Sequence, residues 1–306
     1  MLAFLAKNST WLLVVAAVVG FIFPNLSASL FPFLPAILFT LMLFTLAGME
    51  QKLVIQHLKS KQTWAFALLH NVALTLLLVA LGHLFALSSD LILALSAVGA
   101  TGSLFATPAI ARSVGLDPLP CMATTIATTL LMPVVIYLNL VFLQSETFSL
   151  DMVSYIKRLV IFIVLPMLIS VLLYRFVPRT TLQRAHGKLA QVTIVLVFSF
   201  PLGLIGPFRE TFNTNPQYAL QLLLLGALIC CGFFIIALAA FWHQGKEAAL
   251  AAAITSGNRN VLLTWTVAGS FLGSEYLPLV GALQVPIYLQ PLVVRRLKRY
   301  WDERSS

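Results

Sequence analysis

Apolar runs of about 20 residues, the length that crosses the hydrocarbon of a bilayer, recur ten times along this chain. They fall near residues 11–30, 33–49, 63–86, 91–112 and 119–143, then near 158–177, 189–206, 218–241, 248–272 and 277–294. The connections between them are too short to hold a soluble domain. Of the 306 residues 60% are hydrophobic and only 9% are charged, where a soluble domain carries about 25%. Such a chain cannot cover itself with polar groups, so lipid is its main solvent and an all-α, ten-span membrane protein is expected. The first run is longer than a signal peptide and lacks a small-residue cleavage site, so it is read as the first span.

The net charge of +9 would point to nucleic acid in a soluble protein, but here its distribution decides. With ten spans, 15 of the 19 basic residues fall on the side of the termini and three, Lys157, Arg158 and Arg209, on the other. Positive residues stay in the cytoplasm, which predicts cytoplasmic termini in a plasma or bacterial inner membrane and lipid, not nucleic acid, as the partner. The one basic residue left over is Arg259. Cys121, Cys230 and Cys231 all lie within apolar runs and read as small packing residues; neither a disulfide framework nor metal-ligand spacing is present, and no cofactor is expected.

Glycine and proline recur at a nearly constant offset. Pro24 and Pro178 each close an apolar run, Gly48 answers Gly203, Gly102 in "ATGS" answers Gly257 in "TSGN", and Pro133 in "MPVVIYL" answers Pro286 in "VPIYL". The pattern divides the chain into five-helix halves, 1–150 and 151–306. Five is odd, so the second half enters the membrane from the opposite face. Inverted repeats are the architecture of secondary transporters, with substrate held near the midplane at broken helices.

Two runs look broken. The fourth, "ALSAVGATGSLFATPAIARSVG", crowds Gly99, Thr101, Gly102, Ser103, Thr107 and Pro108 together. Pro108 removes a helical donor, and Thr107 before it reads as the N-cap of a second half-helix. The ninth is interrupted at "TSGNRN". Small residues serve close packing elsewhere, as at Gly20, Gly82 and Gly226, but packing does not explain Arg259. Burying its charge costs about 2.5–3.5 kcal/mol, and a dozen residues to either end of the run, roughly 18 Å, is too far to snorkel. A cavity-facing, functional Arg259 is expected. Thr124, Thr125, Thr128 and Thr129 share one face of the fifth run and serve either helix carbonyls or a ligand. One or both of His70 and Asn71, in the middle of the third, are expected to face the interior. His70 has the chemistry to carry a proton, although a neutral, hydrogen-bonded imidazole is its ordinary state. Asn139 and Gln284 are weaker candidates of the same kind.

Ten runs, the five-plus-five repeat, a Gly-rich fourth run followed by a Thr-rich fifth, and "SGNRNVLL" in the ninth together resemble the bile acid:sodium symporter superfamily over nearly the whole chain. The resemblance implies that spans four and nine cross at unwound centres. It further implies a core of spans three to five and eight to ten, and a panel of spans one, two, six and seven. The departures concern the family's sodium ligands. Thr255 stands where the family has an acidic residue, Arg259 where it has glutamine, Ala106 and Thr107 where it has a Ser-Asn pair, and His70 at about the position of another glutamine. Asn260 and Thr125 match.

No carboxylate therefore remains at the crossing, and a guanidinium there repels the hard cation that its oxygens would suit. The resulting expectation is an alternating-access carrier or exchanger of a small organic anion, without sodium as an obligate partner. Arg259 would hold a carboxylate by charge-assisted bonds, with Asn258, Asn260, Ser103, Thr107, Thr125 and His70 around it. A sodium-coupled symporter using Thr255, Asn258, Asn260 and Thr125 is the alternative. A non-transporting membrane sensor or assembly subunit is another, and an enzyme is least expected because no carboxylate pair, metal cluster or activated nucleophile lies within the runs. No oligomeric state follows from the sequence.

Overall fold

A computed structural model of the protein describes residues 9–143 and 151–303. Lys7 and Arg304, counted in the charge balance, lie outside them. The described residues are almost all helical. In chain order the helices are α1 (Ser9–Ile22), α2 (Pro24–Ala47), α3 (Gln51–Leu58), α4 (Lys61–Leu84), α5 (Ser89–Ala100), α6 (Thr107–Ser113) and α7 (Pro118–Leu143). They continue as α8 (Met152–Phe176), α9 (Arg179–Leu204), α10 (Gly206–Thr214), α11 (Pro216–Ala240), α12 (Lys246–Gly257), α13 (Val261–Ala268) and α14 (Tyr276–Glu303). Among the described residues seven helices are long and apolar enough to cross a membrane, and Trp11–Ile22 and Ser89–Ala100 are shorter apolar helices. The protein is a multi-pass integral membrane protein.

Several boundaries differ from those expected, for reasons that lie in proline. The first helix stops at Ile22, because Phe23 precedes Pro24 and takes φ −114°, ψ 76°, the extended side to which a residue before proline is confined. Pro24 then occupies the first turn of α2, where a missing N–H costs nothing, so α2 runs from 24 and not from 33; Pro32 lies in a 3-10 turn inside it, Phe31–Phe33, and Pro35 just after that turn. The apolar runs 91–112 and 248–272 each become two short helices.

Helix starts recur at one spacing. Pro24, Gln51 and Lys61 are matched by Arg179, Gly206 and Pro216, each 155 positions later. Packing sorts the helices into two groups: α1, α2, α8 and α9 pack together, as do α4, α5, α7, α11, α12 and α14, and α14 also packs on α1. Leu69–Ala73 in α4 and Val160–Val164 in α8 are π-helical turns that interrupt long helices.

At one end of the second group Lys298 of α14 ties two turns together. Its Nζ donates to the Gly115 carbonyl at 2.8 Å and pairs with Glu247 at 2.9 Å. Gly115 has φ +80°, a left-handed conformation that glycine adopts without strain. The Glu247 side chain is 74% exposed, so solvent screens the pair and its worth is about 0–1 kcal/mol. Lys298→Met is therefore expected to move the thermal unfolding midpoint by less than about 2 °C; a larger drop would show that the clip carries the fold.

Candidate functional site

The two interruptions meet. α5 ends at Ala100 and α6 begins at Thr107, while α12 ends at Gly257 and α13 begins at Val261. Pro108 lies in the first turn of α6 and cannot extend that helix backward. Ala106, not Thr107, is its N-cap, and no side chain caps it. The expected N-cap is displaced by one residue because Thr107 already has helical geometry. Between the breaks Ser103 and Arg259 form an isolated antiparallel bridge. Leu104 N–H donates to the Asn258 carbonyl and Asn260 N–H to the Gly102 carbonyl, both at 2.8 Å. Each break thus satisfies backbone groups that the other frees, as burial away from water requires.

Close approach sets the residue types here. A Cβ on Gly102 would lie 3.0 Å from the Thr129 Cα of α7, so glycine lets the broken strand lie against that helix. Ser103 N–H donates to Thr128 Oγ1 at 3.0 Å. Ser103 Oγ lies 3.3 Å from both Thr107 Oγ1 and the Asn258 carbonyl. Thr101 Oγ1 donates to the Asn260 carbonyl at 3.1 Å and touches Thr264 Oγ1. Asn260 caps α13, its side chain accepting from Leu263 N–H at 3.3 Å.

These pairings leave carbonyls over. In an unbroken helix Gly99 O would accept from Ser103 N–H and Ser256 O from Asn260 N–H, but both donors are diverted, the first to Thr128 of α7 and the second across the crossing to Gly102 O. Arg259 takes up both carbonyls. Its Nη1 donates to Gly99 O at 2.7 Å, His70 O at 2.9 Å and Thr101 O at 3.1 Å, and its Nε to Ser256 O at 3.0 Å. The guanidinium therefore bridges the C-terminal ends of α5 and α12, where the helix dipoles are negative. Its Cζ stands 4.2 Å from the Phe233 ring centroid, a cation–π contact from α11. The side chain is 2% exposed. Two further donors from the π-turn of α4 complete the end of α5. Asn71 Nδ2 reaches Ala100 O at 2.6 Å, and His70 Nε2 reaches Thr101 O at 3.1 Å. Because a carbonyl only accepts, that ring nitrogen carries the proton.

The sequence-expected residues divide. Arg259, Asn258, Asn260, Ser103 and His70 share the crossing, and Thr107 reaches it through Ser103. Thr125 is fully buried on α7 with no partner for its hydroxyl. Thr255 bonds within its own helix, to Ala251 O at 2.6 Å, and Gln284 likewise to Val280 O. Asn139 donates to Ser96 O at 3.3 Å. Arg259 was expected to face a ligand cavity, yet the space it lines with Asn260 and Gln284 is about 10 Å³, because carbonyls already surround the guanidinium. Cavities of ligand size lie elsewhere. One of about 420 Å³ is lined by His57, Asp117, Cys121 and Glu247, and another of about 440 Å³ by Glu50, Arg112, Asp117 and Tyr174.

Phe233, Ser256 and Gln290 join the site without having been anticipated. Gln290 lies against Gly257, whose missing Cβ leaves room for its amide, and donates to Cys230 O at 3.1 Å. A glutamine inside the last apolar run was the available signal; Phe233, one of 22 phenylalanines, offered none. Several buried atoms at the site have no protein partner, among them Arg259 Nη2, Asn258 Oδ1, Asn260 Nδ2 and Gln290 Oε1. Among the described residues no three His, Cys, Asp or Glu side chains gather as a metal centre. No family model matches this chain, and no curated protein matches it.

Proposed function

We propose that the protein is a secondary carrier of a small organic anion, working by alternating access, in which Arg259 stands in for a coupling cation. The observation that carries this reading is the cage of carbonyls at the ends of α5 and α12, held by a guanidinium. Carbonyl oxygens are the ligands a hard cation selects, and here a tethered charge takes them. Those partners are neutral, and the sequence has no carboxylate between Asp151 and Glu210 or between Glu247 and Glu275. The positive charge, met only by carbonyl and helix dipoles and the Phe233 ring, has no formal counter-charge, and in this reading a transported anion supplies one. Arg259 Nη2, still without a partner, is the donor this reading assigns to it.

The ten-span architecture belongs to the same proposal. In it, α5–α6 and α12–α13 are the broken fourth and ninth spans of two inverted halves, 1–150 and 151–306, with the termini in the cytoplasm. The 155-residue recurrence of helix starts and the antiparallel bridge between the breaks support it. The two packing groups correspond to a panel (α1, α2, α8, α9) and a core. The 440 Å³ cavity, lined by residues of both with Arg112 in its wall, is then the vestibule through which substrate reaches the crossing.

Uptake into proteoliposomes tests the proposal. Flux of a carboxylate substrate is expected to change less than twofold when sodium is replaced by potassium at fixed ionic strength, and to be stimulated by the same anion on the far side. Sodium stimulation above tenfold would establish the sodium-coupled reading instead, and absence of flux for any carboxylate would leave the non-transporting one.

A further inference from the structure

The π-turn that turns His70 and Asn71 toward the crossing also shapes the outer face of the protein. Helices α4 and α11 meet at that turn and part beyond it, with α5 packed behind α4. The parting leaves a groove of about 210 Å³ between them, and all 13 residues that line it are apolar. Its inner wall is buried, with Leu78 7% and Phe233 2% exposed, whereas its lip is open, with Phe85 68% and Leu228 61% exposed. Gly232 contributes the space, since a Cβ built there meets nothing within 4 Å. From Leu225 to Ile236 the groove follows α11 for roughly 16 Å at the helical rise.

We propose that this groove binds one acyl chain of a membrane phospholipid, lying between α4 and α11 against Phe233. Water is a poor occupant, because the lining offers no polar partner and an ordered water needs two or more. An empty groove would forfeit dispersion contacts along its walls. Hydrocarbon is the remaining medium, and the groove is continuous with the lipid-facing surface of α4 and α11, which shows Leu76 63% and Leu224 63% exposed. The shape selects a chain over a headgroup: it is long, narrow and closed on its inner side. The occupant also touches the ring over which the Arg259 guanidinium stands, so the bilayer gains a contact with the crossing through one aromatic side chain. The assignment is independent of what the protein transports.

The test uses the full chain in nanodiscs containing phosphatidylcholine with a diazirine on one acyl chain. Photolysis followed by peptide mass spectrometry is expected to label Leu81 and Leu228 at least fivefold above exposed lipid-facing positions such as Leu172. Gly232→Phe fills the groove and should cut that labelling at least fivefold, while labelling near Leu172 and the unfolding midpoint stay unchanged. If that variant does not fold, Leu81→Trp narrows the mouth from the lip and serves the same purpose. Even labelling around the whole belt, or groove labelling unaffected by a folded filling variant, would overturn the proposal. Displacement of the label by palmitic acid at equimolar amount would overturn the assignment to a phospholipid chain in favour of a free fatty acid.

Discussion

Arg259→Met is expected to lower the unfolding midpoint of the purified protein and to make its stability respond to sodium, a response not expected of the wild type. The substitution removes the donor to the Gly99 and Ser256 carbonyls, whose in-helix donors are committed elsewhere, Ser103 N–H to Thr128 and Asn260 N–H to Gly102 O. Each buried acceptor left without a partner costs about 1–3 kcal/mol, so the two together cost about 2–6 kcal/mol. Methionine fills much of the volume but donates nothing. The emptied cage of carbonyls then suits a hard cation, and a ligand that binds only the folded state stabilises it as its concentration rises. A scan of unfolding midpoints in sodium, potassium and choline chloride checks both parts. A variant as stable as wild type would show that the guanidinium is not what satisfies these carbonyls. A destabilised variant indifferent to sodium would remove the stand-in argument while leaving the structural one. Arg259→Lys should fall between the two, because an ammonium keeps the charge but cannot span from Gly99 to Ser256 as the planar fork does.

The second large effect is expected at Gly99. A Cβ there would lie 2.7 Å from the Thr75 Cα of α4, so the obstacle is backbone and cannot rotate away. Gly99→Ala is expected to cost about 1–3 kcal/mol by overpacking, and Gly99→Val to prevent recovery of folded protein from membranes. Size-exclusion profiles and unfolding midpoints of the two variants check this. A monodisperse, wild-type-like Gly99→Val protein would mean that α4 and α5 can separate freely. Gly232→Ala is the contrasting control, since its methyl group enters open space.

Much of this arrangement is legible in the residues alone. Pro24 ends the helix before it and Pro108 marks the start of the helix it opens, for steric reasons that are independent of tertiary context, and Gly102 and Gly257 mark positions of close approach. The cost of an isolated charge in lipid singles out Arg259 before any coordinates. Its direction is not legible. A guanidinium that faces a cavity and one that gathers carbonyls have the same sequence, and the choice depends on which backbone groups two distant breaks leave unpaired. The π-turn at Leu69–Ala73 is equally silent, because one residue more per turn leaves no mark in an apolar run. Thr255 shows the converse: a hydroxyl in a suggestive position is satisfied by the carbonyl four residues behind it.

The mutual pairing of the two breaks imposes an order on biosynthesis. When the ribosome has made Thr107, the carbonyls at the end of α5 can reach Asn71 and His70, but Arg259 and the Asn258–Asn260 backbone are about 150 residues from being translated. At roughly 5–20 residues per second that interval is about 8–30 s, during which Gly99 O and the Gly102 and Leu104 backbone groups sit in or near the membrane without their final partners. The segment between α5 and α6 must wait in a conformation other than its final one. The crossing is therefore a late event, and a lesion at the break between α12 and α13 would show first as failed assembly of the break between α5 and α6.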